Sequence, residues 1–269
     1  MIRAAILALT CLATGATVAA QTPGALSSLD QRDLLLGWEA VGRLDGPHGS
    51  CTGTLIADDI VLTAAHCVDG VADPASLRFG VGLSGGRALA ERVFSGIFLD
   101  DDYGGLENGH LPLHRVPADI ALVTLARPVS PAEARPFRVA SPGPVPDVVT
   151  VVSYGRGRND APSRQSACEV TGRYRSGVLR FDCDVTFGSS GAPVFMRQNG
   201  RLRIAALVSS GGDGAAYGPP LADRIGPLLA RVRTEAARPS PGPGARTVRP
   251  GDRPGTEASG ARFIRPDRS

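Results

Sequence analysis

The apolar positions of this chain fall into short runs, each closed by Gly, Pro, Asn or Asp. Residues 38–44, 51–56, 60–62, 77–83, 92–98 and 120–125 form a first series. Residues 148–154, 167–171, 178–181, 192–196, 204–209 and 216–217 form a second. Runs of this length between turn residues predict β-strands rather than helical bundles. Evenly spaced short strands suit closed barrels, which leave few exposed edges. Residues 128–146, rich in Pro, Ala and Arg, read as a crossing between the two series. One stretch has another period: Leu221, Ile225, Leu228, Leu229 and Val232 recur at helical spacing. They predict a C-terminal helix docked on the second set of strands.

Both ends break the pattern. Residues 1–20 carry Arg3, an apolar stretch over 4–13 and the small-residue site Val18-Ala19-Ala20, the layout of an export signal. Mature protein then begins at Gln21, and residues 21–37 form an N-terminal segment able to serve as a propeptide. The apolar stretch falls short of the roughly 20 residues that cross a bilayer. No membrane span is expected elsewhere. Cys11 lies inside the signal, and Thr10 before it suits lipidation poorly. Residues 238–269 are Pro, Gly, Ser, Thr and Arg with almost no apolar content, which predicts a disordered, solvated tail after a folded part over 38–237.

Length and composition add bounds. A chain of 269 residues permits one or two domains with a real core. Its formal net charge of +3 gives no case for a nucleic-acid partner. Every basic side chain is arginine, a compositional bias that says little about function.

Three stretches carry candidate chemistry. In Phe187-Gly188-Ser189-Ser190-Gly191-Ala192-Pro193, glycines flank a serine, so the backbone can turn sharply and present the Ser190 hydroxyl. Such a turn can aim the N–H groups of Gly188 and Ser190 at one point, as an oxyanion requires. Thr63-Ala64-Ala65-His66-Cys67 supplies an imidazole, and Asp119-Ile120-Ala121-Leu122 a carboxylate before a buried-looking strand. A serine nucleophile needs an imidazole base, and that base needs a carboxylate to fix its tautomer. The order His, Asp, Ser excludes an α/β-hydrolase esterase, in which serine precedes histidine.

These motifs, TAAHC, DIAL and GSSGAP, resemble the TAAHC, DIAL and GDSGGP of chymotrypsin-like (trypsin-fold) serine peptidases, over residues 38–233. The resemblance implies an all-β fold of two six-stranded antiparallel β-barrels with a C-terminal helix. It implies catalytic residues His66, Asp119 and Ser190, an oxyanion hole at Gly188 and Ser190, and no cofactor. It also implies a disulfide between Cys51 and Cys67, with Cys168 and Cys183 as the remaining pair, in keeping with an oxidising compartment. A metal site is disfavoured, because no paired C-x-x-C spacing or second histidine accompanies the cysteines. The chain is expected to be a secreted or periplasmic monomer acting on proteins or peptides. The runner-up is a catalytically silent homologue that binds protein partners.

Departures from the animal digestive branch refine this. Ser189 stands where that branch has the aspartate that receives a new N-terminal amine, and no R-I-V-G-G stretch precedes Trp38. The chain looks more like the bacterial glutamyl-endopeptidase-like branch, with Ala192 a tolerated variation. Ser189 reads as a bystander whose replacement by Ala should retain most activity. The resemblance makes Ser209 a hydrogen-bonding neighbour of Asp119 and Gly211 a backbone contact for extended substrate. Val208 stands where glutamate-specific relatives carry histidine, which argues against glutamate preference. Asp184 lies at the pocket-base position. A buried carboxylate there would favour cationic side chains, with Gly211 and Ala215-Ala216 leaving room, although Asp182 could be the one turned inward.

Other polar residues draw plainer readings. His48, His110 and His114 sit in Gly/Pro-rich loops and are expected to face solvent. Asp100-Asp101-Asp102 reads as a solvated acidic turn before a calcium loop.

Overall fold

A computed structural model describes residues 24–47, 49–212 and 214–237. The export signal over 1–20, His48 and the tail over 238–269 lie outside the described residues, as do residues 21–23 of the N-terminal segment.

Strand β1 (Leu26–Ser28) and a short helix α1 (Arg32–Leu35) precede the main body. The first series of runs becomes β2 (Val41–Gly46), β3 (Gly49–Ala57), β4 (Ile60–Thr63), β5 (Arg78–Val81), β6 (Ala90–Leu99) and β7 (Ala121–Leu125). They close into a barrel in the order β2-β3-β4-β7-β6-β5, antiparallel throughout. Val41, Leu44, Leu55, Leu62, Phe79 and Phe94 of these strands are all buried. Each fully buried side chain of this kind stabilises the barrel by about 2 kcal/mol.

The second series becomes β8 (Val148–Gly155), β9 (Arg158–Arg173), β10 (Leu179–Phe181), β11 (Pro193–Gln198), β12 (Arg201–Leu207), β13 (Ser210–Gly212) and β14 (Ala215–Gly218). Their ladders form a half-barrel in the order β12-β11-β8-β9-β10-β14-β13. β12 and β13 are one strand interrupted at Val208-Ser209, so the same strand opens and ends the path. The seam is drawn together where Ser209 N–H donates to the Tyr217 carbonyl at 2.8 Å and Ala206 bridges Pro220. β9 begins well before the expected residue 167, because its early half is polar and shows no apolar run. β1 lies on that half, with Leu26 opposite Gln165, and Leu29 and Leu35 of the same segment are buried.

The C-terminal helix is α2 (Ile225–Ala236). It packs on β6 and β7 of the first barrel, not on the second barrel as its position in the chain suggested. Charge complements the apolar stripe there. Arg224 meets Asp100 at 3.0 Å, and Arg231 meets Asp101 at 2.6 Å and the Leu99 carbonyl at 2.8 Å. The acidic turn is therefore an anchor for the helix, its carboxylates engaged by guanidinium groups.

Aromatic side chains make two of the contacts between the barrels. Trp38 and Phe137 pack on Phe195, with ring centroids 5.4 and 4.6 Å away. Tyr154, fully buried at the end of β8, donates its hydroxyl to the Leu83 carbonyl at 2.8 Å.

Candidate active site

His66 lies in a single 3-10 turn over Ala65–Cys67, directly after β4. Asp119 follows a second such turn, Leu113–Ala118, just before β7. β4 and β7 are paired, with Thr63 opposite Ala121, so the two turns emerge side by side at one barrel end. Asp119 has no exposed surface, and a buried carboxylate is tolerated only when hydrogen bonds replace its water. It accepts three. The His66 backbone N–H donates to Oδ1 at 2.9 Å, His66 Nδ1 to Oδ2 at 2.7 Å, and the Ser209 hydroxyl also to Oδ2. An ionised carboxylate only accepts, so Nδ1 carries the imidazole proton and the lone pair is left on Nε2.

The second barrel brings Ser190 to this end. The Thr52 N–H donates to the Ser190 carbonyl at 2.8 Å, and the Thr52 hydroxyl donates to the Gly188 carbonyl at 2.8 Å. Gly191, at φ +79°, is pressed so close that a β-carbon would come within 2.9 Å of the Ala64 nitrogen, two residues before His66. Cys51, beside Thr52, is bonded to Cys67, beside His66, with Cα atoms 6.3 Å apart. The serine turn and the histidine turn thus share one scaffold. No hydrogen bond joins the Ser190 hydroxyl to His66 Nε2 among the described residues. Nε2 instead lies 3.8 Å from Cys67 Sγ. Such contacts commonly tighten only when substrate is bound.

The turn also leaves two of its N–H groups without an internal acceptor. Gly188 adopts φ +95°, and a β-carbon there would come within 2.8 Å of the Tyr154 carbonyl oxygen, so only glycine fits. A peptide unit points its C=O and N–H in opposite directions. The Phe187 carbonyl is held by Arg156 N–H at 2.7 Å, and the Ser189 carbonyl by Ala192 N–H at 3.0 Å. The N–H groups of Gly188 and Ser190 therefore point the other way, and neither meets an acceptor among the described residues.

Asp184 needs correction as a buried pocket carboxylate: it is exposed, and so is Asp182. Cys183 between them must face inward to bond Cys168, so its extended neighbours face out. Asp182 caps the Glu169 N–H, while the Asp184 backbone is held by Gln165 and Arg158. Gly211 is also less open than expected, because a Val185 methyl sits where its β-carbon would be, 2.3 Å away. At the rim, Phe187 is 72% exposed with the Arg156 guanidinium 4.1 Å above its ring.

The remaining candidates lie elsewhere. His110 and His114 are exposed. Cys51 and Cys67 lie near His66 as a metal trio would, but their sulfurs are consumed by the disulfide. Two residues escaped the sequence reading. Thr52 and Ser153 are buried hydroxyls inside apolar strands, and nothing in the sequence marks them apart from other strand hydroxyls.

The sequence of residues 51–203 matches the family described as Trypsin-like peptidase domain. No curated protein matches the chain. Among solved structures, a Glu endopeptidase in complex with MPD superposes with TM-score 0.61 at 16% identity, over 81% of this chain and 99% of its own. The scabies mite inactivated protease paralogue S-D1 gives 0.59 at 16% identity, over 80% and 97%. The protease Anisep from Arthrobacter nicotinovorans gives 0.59 at 16% identity, over 73% and 96%. Identity this low establishes the shared fold alone.

Proposed function

Because this chain belongs to the trypsin-like peptidase family, we propose that it is a serine endopeptidase exported to an oxidising compartment. Ser190 attacks the peptide carbonyl while His66 Nε2 takes its proton and later delivers it to the leaving amine. Asp119 orients the imidazole and stabilises the imidazolium. The Gly188 and Ser190 N–H groups receive the oxyanion of the tetrahedral intermediate, the arrangement that contributes most to such reactions. The acyl-enzyme then reacts with water by the same steps. No step calls for a cofactor.

One observation carries this reading: a fully buried carboxylate holds both the ring and the backbone of His66, on the face against which the Ser190 turn packs. Two disulfides support the oxidising compartment, and no helix among the described residues is long and apolar enough to cross a membrane. The competing reading is a silent homologue that binds proteins. Incubation of the purified protein with an unfolded protein substrate separates the two. The peptidase reading expects internal cleavage that Ser190→Ala abolishes. Intact substrate with wild-type protein would establish the silent homologue.

A further inference from the structure

Resting on the peptidase reading, we propose that Ser153 is a positioning residue for the anion-binding turn, acting through a hydroxyl-to-hydroxyl bond to Ser189. Ser153 lies near the end of β8 between Val152 and Tyr154 and is 2% exposed. A hydroxyl in such a place needs a partner. The Ser189 hydroxyl provides it, donating to Ser153 Oγ at 3.1 Å while accepting from the Thr186 N–H at 3.3 Å.

Ser189 is the joint between the two N–H groups that matter. The peptide on its C-terminal side carries the Ser190 N–H, and the one on its N-terminal side follows Gly188. It is itself 1% exposed. Its backbone N–H donates to the Thr186 carbonyl at 2.9 Å and its carbonyl accepts from Ala192 N–H at 3.0 Å. Gly188, with no side chain, gives the turn a free pivot at φ +95°. The carbonyls on either side are tied from outside the turn, Phe187 by the Arg156 N–H, Gly188 by the Thr52 hydroxyl and Ser190 by the Thr52 N–H, which leaves Ser189 as the member still to be fixed. The Ser189 backbone bonds all stay within the turn. The side-chain bond to Ser153 is the one that ties this residue to the barrel wall. Because both partners are neutral, the tie is complete once β8 and the turn have packed, with no buried charge to compensate. Ser189 is therefore not the bystander that its place beside the nucleophile suggested.

The test is steady-state kinetics on a peptide substrate for Ser153→Ala, Ser189→Ala and the double variant, with thermal melting and fluorophosphonate uptake at Ser190 measured alongside. Loss of the bond should lower kcat by about 10- to 100-fold with KM within about 2-fold, since the turn acts on the transition state. The double variant should be no worse than the poorer single one, because both remove the same bond. Ser190 should still take up the label to completion, more slowly. If Ser153→Ala melted below the assay temperature, Ser189→Ala would read the same bond from its other end and decide the matter. Wild-type kcat in either folded variant, a rise in KM alone, or additive losses would overturn the proposal. Wild-type protein that took up no label would instead remove the peptidase reading, and this inference with it.

Discussion

The backbone N–H of Thr52, on the first barrel, donates to the carbonyl oxygen of Ser190, on the second, at 2.8 Å. Through this bond the candidate nucleophile is registered against the strand whose preceding residue, Cys51, is tied by a disulfide to the neighbour of His66. The Thr52 hydroxyl adds a relay, accepting from the Tyr154 N–H at 3.0 Å and donating to the Gly188 carbonyl at 2.8 Å.

Thr52→Val keeps the shape and the N–H but removes that relay. The buried Tyr154 N–H loses its acceptor, at about 1–3 kcal/mol, and the part-buried Gly188 carbonyl loses its donor at a smaller cost. Thermal melting should therefore fall, and kcat should drop further than the melting shift explains. Unchanged stability would mean that the relay is made by water as readily as by the hydroxyl.

The Cys51–Cys67 disulfide spans 16 residues of sequence. The chain-entropy model values such a closure at about 3 kcal/mol. Replacing both cysteines with Ala should lower the denaturation midpoint accordingly, and should cost more activity than the same change at Cys168 and Cys183. Equal activity losses at the two sites would show that the His66 turn does not depend on its disulfide.

Because Asp184 faces solvent and Val185 fills the space over Gly211, the pocket should favour small or medium apolar side chains over cations. Matched substrates with Arg or Ala before the scissile bond should show no preference for Arg in kcat/KM. Asp184→Ser should leave that ratio unchanged, and Val185→Gly should shift cleavage toward larger residues. A strong Arg preference lost in Asp184→Ser would restore the carboxylate to the pocket base.

Two tyrosines set an alkaline limit. Burial pushes the Tyr103 phenol above the ordinary range, with Asp119 and Asp69 adding to the effect, and burial does the same for Tyr154. Their folded-state values lie above the unfolded value of about 10, so the folded state holds these protons longer. Stability from both is full below about pH 10 and is lost as pH rises beyond it. Stability curves across that window should fall steeply, and less so in Tyr103→Phe. A flat curve would contradict the burial of these rings.

The strands of the first barrel were legible because each is a short apolar run closed by turn residues. Early β9 was not, since its inward positions, Ala161, Ser163 and Gln165, are small or polar and leave no apolar signature. The placement of α2 escaped for a different reason: the stripe shows that it packs, but the surface it meets, β6, β7 and the turn at Asp100 and Asp101, lies far away in sequence. In the site, the types and order of His66, Asp119 and Ser190 are motif-level signals. Asp184 misled because its direction depends on Cys183, whose bond to Cys168 forces the parity of the whole stretch. Ser153 was invisible for want of any pattern that ties a strand hydroxyl to a distant turn.

The central claim is that Ser190 is a nucleophile activated by His66. Fluorophosphonate labelling of the purified protein, followed by peptide mapping, tests it most directly. The expected result is one label per molecule on Ser190, with a rate that falls by several orders of magnitude in His66→Ala. Label on Ser189, or none on a folded protein, would contradict the account.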